Sequence, residues 1–230
     1  MRLVTWNCCR GAFAKKATCL DYLFADVTVI QECGKPELLT DQLLWYGDNH
    51  NQGVAIIARG DYKLRELPQL GTAPKFVIPI EVDGPQSFLM LAVWAKVNDG
   101  CRYIECVVRA VEAYEYLLRP GQTVLIGDLN SNAIWDRKRS FDLSHSGLVK
   151  RLNVLGLVSA YHAYFDEQQG KESNATFYLN WNEKKPYHID YCFLPKEWMP
   201  HVRSVAIGSN DDWRKLSDHR PLLVDLEFPN

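Results

Sequence analysis

The chain has 230 residues, 47% of them hydrophobic, and a net charge of -2. A chain of this length and apolar content can bury a sizeable core, so we expect residues 1–230 to form a single domain. The near-neutral charge argues against a dedicated duplex-DNA binder, which usually has a strongly basic face. No apolar run reaches the roughly 18 residues that a membrane-spanning helix needs, so none is expected.

The cysteines bear on metal chemistry and on the cellular setting. There are seven of them and no CxxC spacing, which argues against a zinc cluster. The sequence runs from Met1 straight into an apolar segment, without the pattern of a secretory signal. We therefore expect reduced thiols and a cytoplasmic location, and we also expect a monomer.

The predicted elements begin with a strand, a helix and a strand, at residues 3–6, 14–24 and 27–30. Strands bounded by turn residues follow at 54–58, 62–67, 76–82 and 88–97. Next come a helix at 103–118, a strand at 123–126 and a helix at 147–155. The last predicted strands are 187–194, 202–207 and 222–228. Consecutive strands with interspersed helices indicate two packed sheets with outer helices.

Polar side chains stand at or near the ends of several of these strands. In chain order they are Asn7, Gln31–Glu32, the segment 128–131, Asp190 and Ser217–Asp218–His219. Neighbouring side chains on an extended segment point in different directions, so Asp218 can face a metal while His219 faces a substrate oxygen. Active sites of layered α/β proteins are commonly built where buried strands open to solvent.

This ordered set of motifs, with a glycine-led strand at 52–56, resembles the endonuclease/exonuclease/phosphatase superfamily. That group includes AP endonucleases and deoxyribonuclease-like enzymes, and the resemblance extends over essentially the whole chain. It implies an α/β fold, a four-layer α/β/β/α sandwich with two packed mixed β-sheets and outer helices. It also implies a metal-dependent phosphoesterase whose site lies at the rim between the sheets.

The expected cofactor is Mg²⁺ or Mn²⁺. Glu32 and Asp218 are hard oxygen ligands of the kind that these ions prefer. The resemblance implies that Glu32 is the main ligand and that Asn7 supports it, directly or through water. The alternatives are a solvated acid at a strand end and, for Asn7, a turn that caps its own backbone. One metal ion or two remains open.

Two further pairs are the candidate catalytic residues. The resemblance assigns Asp128 to activating the nucleophile or handling its proton, with Asn130 orienting; an Asx-type turn is the structural alternative. A carboxylate at Asp190 would orient His219 and favour its charged form. His219 would then donate to a non-bridging phosphate oxygen. His188 either contacts phosphate from the same strand face as Asp190 or is a solvated edge residue.

One residue departs from the superfamily pattern. Trp94 stands where relatives usually carry a phosphate-contacting His or Tyr, and an indole can donate one hydrogen bond but cannot titrate. Either the chemistry is weaker, or Trp94 selects the substrate, or Tyr103 substitutes for the missing group. The residue therefore bears more on the substrate than on the metal site.

The functional prediction is a metal-dependent nuclease or phosphodiesterase. Aromatic and basic residues near the motifs, such as Trp135 and Arg137, suit stacked bases and phosphates, although ordinary surface charge is an equal alternative. The modest charge favours a small or single-stranded substrate over wide duplex contact. The first alternative is a phosphatase for a small phosphorylated metabolite, and the second is a non-catalytic binding module of the same fold. The sequence does not distinguish endonucleolytic from exonucleolytic cleavage.

Overall fold

The computed structural model describes residues 1–11, 13–97, 100–138 and 140–229. The strands of the amino-terminal half are β1 Arg2–Asn7, β2 Val27–Cys33, β3 Leu43–Asn49, β4 Gln52–Ala58, β5 Lys63–Glu66, β6 Val77–Asp83 and β7 Phe88–Trp94. The later strands are β8 Thr123–Asp128, β9 Leu157–Ser159, β10 Phe177–Tyr178, β11 Pro186–Tyr187, β12 Asp190–Pro195, β13 Val202–Ile207 and β14 Leu222–Leu226.

The α-helices are short and lie between the strands. They are α1 Phe13–Asp21, α2 Ile104–Ala113, α3 His145–Val154, α4 Ala160–Phe165 and α5 Asn210–Trp213. Short 3₁₀ helices occupy Glu115–Leu117, Ala133–Lys138, Phe141–Leu143, Leu179–Trp181 and Lys196–His201. Within the described ranges, no helix is both long enough and apolar enough to cross a membrane.

The strands form two six-stranded sheets and one small ribbon. The first sheet has the order β13-β14-β1-β2-β4-β3, and the second has the order β5-β6-β7-β8-β12-β9. The β1–β2 and β7–β8 pairs are parallel, while the remaining pairs are antiparallel, so both sheets are mixed. The ribbon is formed by β10 and β11.

Alternating side chains along the strands define the layers. Leu3, Ile56, Met90 and Ile126 belong to one buried cluster, to which both sheets contribute, so the two sheets pack face to face. The outer face of the second sheet packs against α2 and α3, and that of the first sheet packs against α1 and α5. The predicted four-layer α/β/β/α sandwich is confirmed.

The ends of the inner strands come unusually close together at one point. Gly127, next to the end of β8, has φ of +149°, and a Cβ built on it would lie 1.9 Å from the carbonyl oxygen of Val93 in β7. No side chain fits in that space, so only glycine lets β8 approach β7 here. This approach places Asp128 directly beside the end of β7.

Several elements differ from their sequence predictions. The edge strand β3 and the short elements β9, α4 and α5 were not predicted, since their side chains lie partly in solvent and show no clear period. The predicted strand 187–194 is broken between β11 and β12 at His188 and Ile189. Both Ile189 and Asp190 donate their backbone N–H to the Thr176 hydroxyl, which replaces the extended ladder there.

The thiol prediction is corrected for one pair of cysteines. Cys101 and Cys106 form a disulfide, with their Cα atoms 5.3 Å apart. That separation lies within the range that a disulfide spans, and it arises because the first turn of α2 brings Cys106 back beside Cys101. The remaining cysteines are free, namely Cys8, Cys9, Cys19, Cys33 and Cys192.

Candidate functional site

The predicted site residues meet at one rim of the sandwich. Asp128 at the end of β8 is the register partner of Asp190 at the start of β12 and of Trp94 at the end of β7. From the opposite sheet, Asn7 at the end of β1 donates its side-chain Nδ2 to Asp128 Oδ2 at 3.0 Å. Strand ends from both sheets therefore bring distant parts of the sequence together.

Asp128 is fully buried and held by the loop that follows it. Its Oδ1 accepts the backbone N–H of Asn130 at 2.8 Å, and its Oδ2 accepts the Asn130 amide at 2.9 Å. Asn130 has φ of +45°, a conformation that asparagine tolerates better than most residues. The same amide donates to the Ala95 carbonyl at 2.8 Å, so Asn130 positions Asp128 with respect to the chain after β7.

Burial and the neighbouring Asp190 carboxylate raise the pKa of Asp128 to about 7. Both effects act in the same direction, because burial and a nearby like charge each disfavour the carboxylate form. A group with a pKa near neutrality can accept or release a proton under physiological conditions. Asp128 is therefore suited to proton transfer.

His219 is oriented by Asp190, as the sequence predicts. Its ring Nδ1 lies 2.9 Å from Asp190 Oδ2. Burial lowers the pKa of His219, but the negative charges of Asp190 and Asp128 outweigh burial and raise it to about 9. With Nδ1 bonded to Asp190, Nε2 is the ring nitrogen that can contact a substrate, and the ring is positively charged at neutral pH.

Ligand atoms of Asp128, Asp190 and His219 lie within 4.8 Å of one another, so this cluster could hold a divalent ion. Asp190 Oδ1 is buried and has no hydrogen-bond partner among the described residues. A buried acceptor left without a partner is costly, and it indicates a place for a ligand, a water molecule or an ion.

Glu32 approaches the same rim from β2 through a bulge. The pairing of β2 with β4 shifts register between Gln31 and Cys33, and Glu32 has φ of +60°. A bulge bends the strand and re-aims a side chain. Glu32 Oε1 accepts the Asn7 amide at 3.3 Å, and Oε2 accepts the Gln52 amide at 3.2 Å. Arg10 Nε also lies 3.3 Å from Oε2.

Asn7 links the acidic residues of the two sheets. Its Nδ2 contacts both Glu32 and Asp128, while its Oδ1 accepts the backbone N–H of Cys9 at 2.9 Å. In this orientation Asn7 supports Glu32 through a hydrogen bond, and its side-chain oxygen already accepts one hydrogen bond.

Asp218 is half-buried. Burial raises the pKa of the Cys9 thiol to about 12, and the carboxylates of Asp218 and Glu32 raise it further. The preceding Ser217 donates its hydroxyl to the Asn7 carbonyl at 2.7 Å and accepts the His219 N–H at 2.9 Å. Ser217 thus fixes the start of β14 against the end of β1.

His188 lies away from this cluster. It is 2% exposed, its ring lies 4.4 Å from the Tyr161 ring, and its Nδ1 lies 2.9 Å from the Asn174 carbonyl oxygen. His188 and Ile189 lie between β11 and β12, outside both strands, so His188 is not part of the strand that carries Asp190. Burial lowers the pKa of His188 to about 4, so the ring is neutral at physiological pH.

Trp94 packs inward at the rim. Its ring contacts Phe76 edge to face at 5.0 Å, and the Lys96 ammonium lies 4.6 Å above it. The indole is 3% exposed. It therefore forms part of the inter-sheet core directly behind the carboxylate cluster.

Two residues have supporting roles that the sequence did not assign. Gln31 belongs to the strand-end motif 31–32, and it donates its amide to the Thr5 hydroxyl at 2.9 Å and to the Val93 carbonyl at 3.1 Å, which joins the two sheets beneath the site. Phe177 packs against His219 with ring centroids 4.6 Å apart and ring planes inclined by 41°. Both contacts join residues that are far apart in the sequence.

No protein-family model matches the chain, and no curated protein sequence matches it. Solved structures do match. The endonuclease domain of TRAS1, a telomere-specific non-LTR retrotransposon, is 16% identical with a TM-score of 0.68, over 98% of this chain and 97% of that one. The 3′ phosphatase NExo from Neisseria, bound to a product DNA hairpin, is 16% identical with a TM-score of 0.71, over 99% and 100% of the two chains.

An AP endonuclease from Archaeoglobus fulgidus is also similar, with 16% identity and a TM-score of 0.71 over 99% of this chain and 100% of that one. At such identities the likeness establishes the fold. The fold is that of endonuclease/exonuclease/phosphatase proteins, which agrees with the resemblance read from the sequence motifs.

The pairing with Asp190 predicts that the His219 ring loses its proton at an unusually high pH. In the metal-free protein, the NMR signals of the His219 ring should titrate with a midpoint near 9. Asp190→Asn should lower that midpoint by more than one pH unit, because the charge that opposes burial is removed. The raised pKa also stabilises the fold at low pH, and this contribution is lost as the pH rises through 9. A His219 midpoint that is the same in both proteins would contradict the pairing.

Proposed function

We propose that the chain is a metal-dependent phosphoesterase that hydrolyses a phosphodiester, foremost as a nuclease. The observation that carries the proposal is the buried Asp128–Asp190–His219 cluster, joined through Asn7 to Glu32. A binding module has no need of two buried carboxylates side by side, since burying them costs stability. The raised pKa of Asp128 is typical of a reactive group. The similar structures are described as nucleases and a phosphatase, which supports the same class of reaction.

The residues at the rim fit a hard divalent cation. Glu32 and Asp218 supply carboxylate oxygens, and two of the donors that hold Glu32 are the half-buried Gln52 amide and the exposed Arg10 guanidinium, which can turn away. Mg²⁺ or Mn²⁺ prefers such oxygen ligands and keeps part of its water shell. When bound, such an ion would polarise the phosphoryl group and neutralise its charge.

The reaction follows from the protonation states of the cluster. Asp128, with its pKa near 7, takes a proton from the attacking water as the water oxygen bonds to phosphorus and the ester P–O bond breaks. The leaving oxygen takes a proton from solvent, and Asp128 then releases its proton to solvent. His219, held by Asp190, is positively charged and donates through Nε2 to a non-bridging oxygen whose charge grows in the transition state. Asn130 keeps Asp128 in place through two hydrogen bonds. Buried, preorganised groups of this kind lower the barrier because they need not reorganise.

The proposal also includes the expected domain organisation, oligomeric state and cellular location. Residues 1–230 act as one domain, the protein is a monomer, and it works in the cytoplasm. A phosphatase of small phosphorylated metabolites is the second candidate function. The observation that favours it is the bulk of Trp94 behind the carboxylate cluster, since a narrow site suits a small ester.

Removing either central group should abolish most of the turnover. We expect Asp128→Ala and His219→Ala each to lower kcat by about a hundredfold or more, on the scale of acid–base and electrostatic groups. Asp190→Asn should cost less, because Asp190 acts through His219. The measurement is steady-state hydrolysis of an oligonucleotide by folded variants in Mg²⁺ and in Mn²⁺. Losses under threefold for both alanine variants would refute the assigned roles.

The metal requirement can be tested at Glu32. Wild-type hydrolysis should stop in EDTA and return with Mg²⁺ or Mn²⁺, and Glu32→Ala should need much more metal or lose activity. Calorimetric titration with Mn²⁺ should show weaker binding to this variant. Glu227→Ala is a matched control, since Glu227 is an exposed acid past the far end of β14. Full activity of wild type in EDTA would remove the metal from the proposal.

Trp94 is expected to select the substrate without taking part in proton transfer. Trp94→His should keep metal-dependent hydrolysis but change the ratio of kcat/KM among a phosphodiester, a phosphomonoester and an oligonucleotide. Trp198→His is the matched control, because Trp198 is a buried tryptophan that packs on Phe88 at the opposite end of β7. That control should lower stability and leave the ratio unchanged. Loss of hydrolysis of every substrate by a folded Trp94→His enzyme would make Trp94 part of the catalytic machinery.

A further inference from the structure

Three aromatic rings run outward from the candidate catalytic histidine. Phe177 lies 4.6 Å from the His219 ring, Tyr187 stacks on Phe177 at 6.4 Å, and Trp135 contacts Tyr187 at 5.1 Å. We refer to Phe177, Tyr187 and Trp135 as the aromatic strip. Its inner end touches the proposed reaction centre, and its outer end, Trp135, is 40% exposed.

The inner half of the strip is fixed by backbone pairing. Phe177 in β10 is the register partner of Tyr187 in β11, and it also forms an isolated bridge with His219. The neighbouring backbone bonds, from Tyr178 N–H to the Asp218 carbonyl and from Arg220 N–H to the Thr176 carbonyl, are 2.8 and 2.7 Å long. The rings therefore keep a set position relative to the catalytic imidazole.

The outer end of the strip is fixed from both sides. On one side, Asn132 accepts the N–H of Trp135 through its backbone oxygen at 3.1 Å and donates its amide to the His188 carbonyl at 2.9 Å. On the other side, Asp136 accepts the N–H groups of His145 and Ser146 at the start of α3. Because the backbone around Trp135 is already fixed, this segment loses little conformational entropy when the half-exposed tryptophan binds a partner.

The chemistry of the strip points to bases joined by phosphates. Trp135 is exposed and Phe177 and Tyr187 are partly exposed, and such flat rings suit nucleobases, because every base has a π-face that can stack. Positive side chains flank the strip in the sequence: Arg137 follows Trp135, and Lys184 and Lys185 come directly before β11, all of them exposed. Such cations suit the phosphates that connect successive bases.

We propose that the aromatic strip stacks unpaired bases next to the scissile phosphate, so that the substrate is single-stranded nucleic acid or a single-stranded end. This inference rests on the proposed phosphoesterase function and names its substrate class. A paired duplex keeps its bases stacked on one another and offers no free face to Tyr187 or Trp135. Single-stranded chain, in contrast, can lay one base on the strip while its phosphate reaches His219.

The test is binding in EDTA, where the proposed hydrolysis is off. A fluorescein-labelled single-stranded oligonucleotide should bind Trp135→Ala and Tyr187→Ala about tenfold more weakly than wild type, a loss on the scale of one stacked base. Trp135→Phe should retain most of the affinity. Tyr116→Ala is the control, since Tyr116 is 66% exposed on the 3₁₀ helix that follows α2. Thermal unfolding verifies that each variant is folded.

A second probe separates bases from phosphates. An oligonucleotide whose residues are base-free tetrahydrofuran should bind wild type weakly and show no difference between wild type and Trp135→Ala. Equal affinity of wild type and Trp135→Ala for the normal oligonucleotide would overturn the proposal. So would equal affinity of wild type for the normal and the base-free chains.

The hydrolysis arm is independent of the binding arm. With Mg²⁺ or Mn²⁺ present, turnover of the base-free chain should be the same in Trp135→Ala and wild type, because the strip lies outside the reacting groups. If wild type hydrolyses neither chain, the phosphoesterase proposal fails while the EDTA measurement still decides the strip. If hydrolysis of the base-free chain collapses in folded Trp135→Ala, the tryptophan belongs to the reaction centre and the stacking role is overturned.

Discussion

The rim is organised by the burial of two carboxylates side by side. Asp128 and Asp190 are register partners and both are 0% exposed. Two like charges at 4 to 5 Å repel by roughly 3 to 4 kcal/mol at an effective dielectric constant near 20. The site relieves this repulsion in two ways: His219 brings a positive charge against Asp190, and Asp128 holds a proton near neutrality.

Several neighbouring hydrogen bonds compensate for the burial of the two carboxylates. Asn7 and Asn130 donate hydrogen bonds to Asp128. Beneath the site, the Gln31 amide hydrogen-bonds across the two sheets, and the Ser217 hydroxyl joins the segment before β14 to the Asn7 carbonyl at the end of β1. Backbone strain accompanies these contacts, because Glu32 and Asn130 both have positive φ. Strain of this kind persists only where packing over-determines the conformation. A fold that needed stability alone would replace the carboxylates with apolar side chains, so their retention is itself an argument for chemistry.

Much of this arrangement could be predicted from the sequence because each polar group stands at or near one end of a recognisable apolar strand. Asn7, Asp128 and His219 were assigned in this way, and strand ends meet at the rim of a sandwich whatever the loops between them do. The superfamily resemblance then supplied the order of the layers. The same reasoning explains why the edge strand β3 was missed: its half-exposed side chains have no clear period.

The errors arise where the backbone leaves its regular path. One continuous strand was predicted over residues 187–194, but Ile189 and Asp190 donate their backbone N–H groups to the Thr176 hydroxyl, and the strand is interrupted there. The bulge that aims Glu32 and the orientation of the Asn7 amide depend on partners far away in the sequence. Reduced thiols were predicted from the number and spacing of the cysteines alone. The Cys101–Cys106 disulfide depends instead on the local turn before α2, which brings the two residues together.

The rim therefore divides into regions of different character. Glu32 and Asp218 occupy a half-buried side with adjustable partners, which suits an ion that arrives with its own water. Asp128, Asp190 and His219 occupy the buried centre of the rim, where fixed dipoles act most strongly. Phe177 begins the apolar side at the histidine ring itself. The centre and the apolar side are in direct contact, because the ring centroids of Phe177 and His219 are 4.6 Å apart, so the group that Phe177 contacts lies next to the group that His219 contacts.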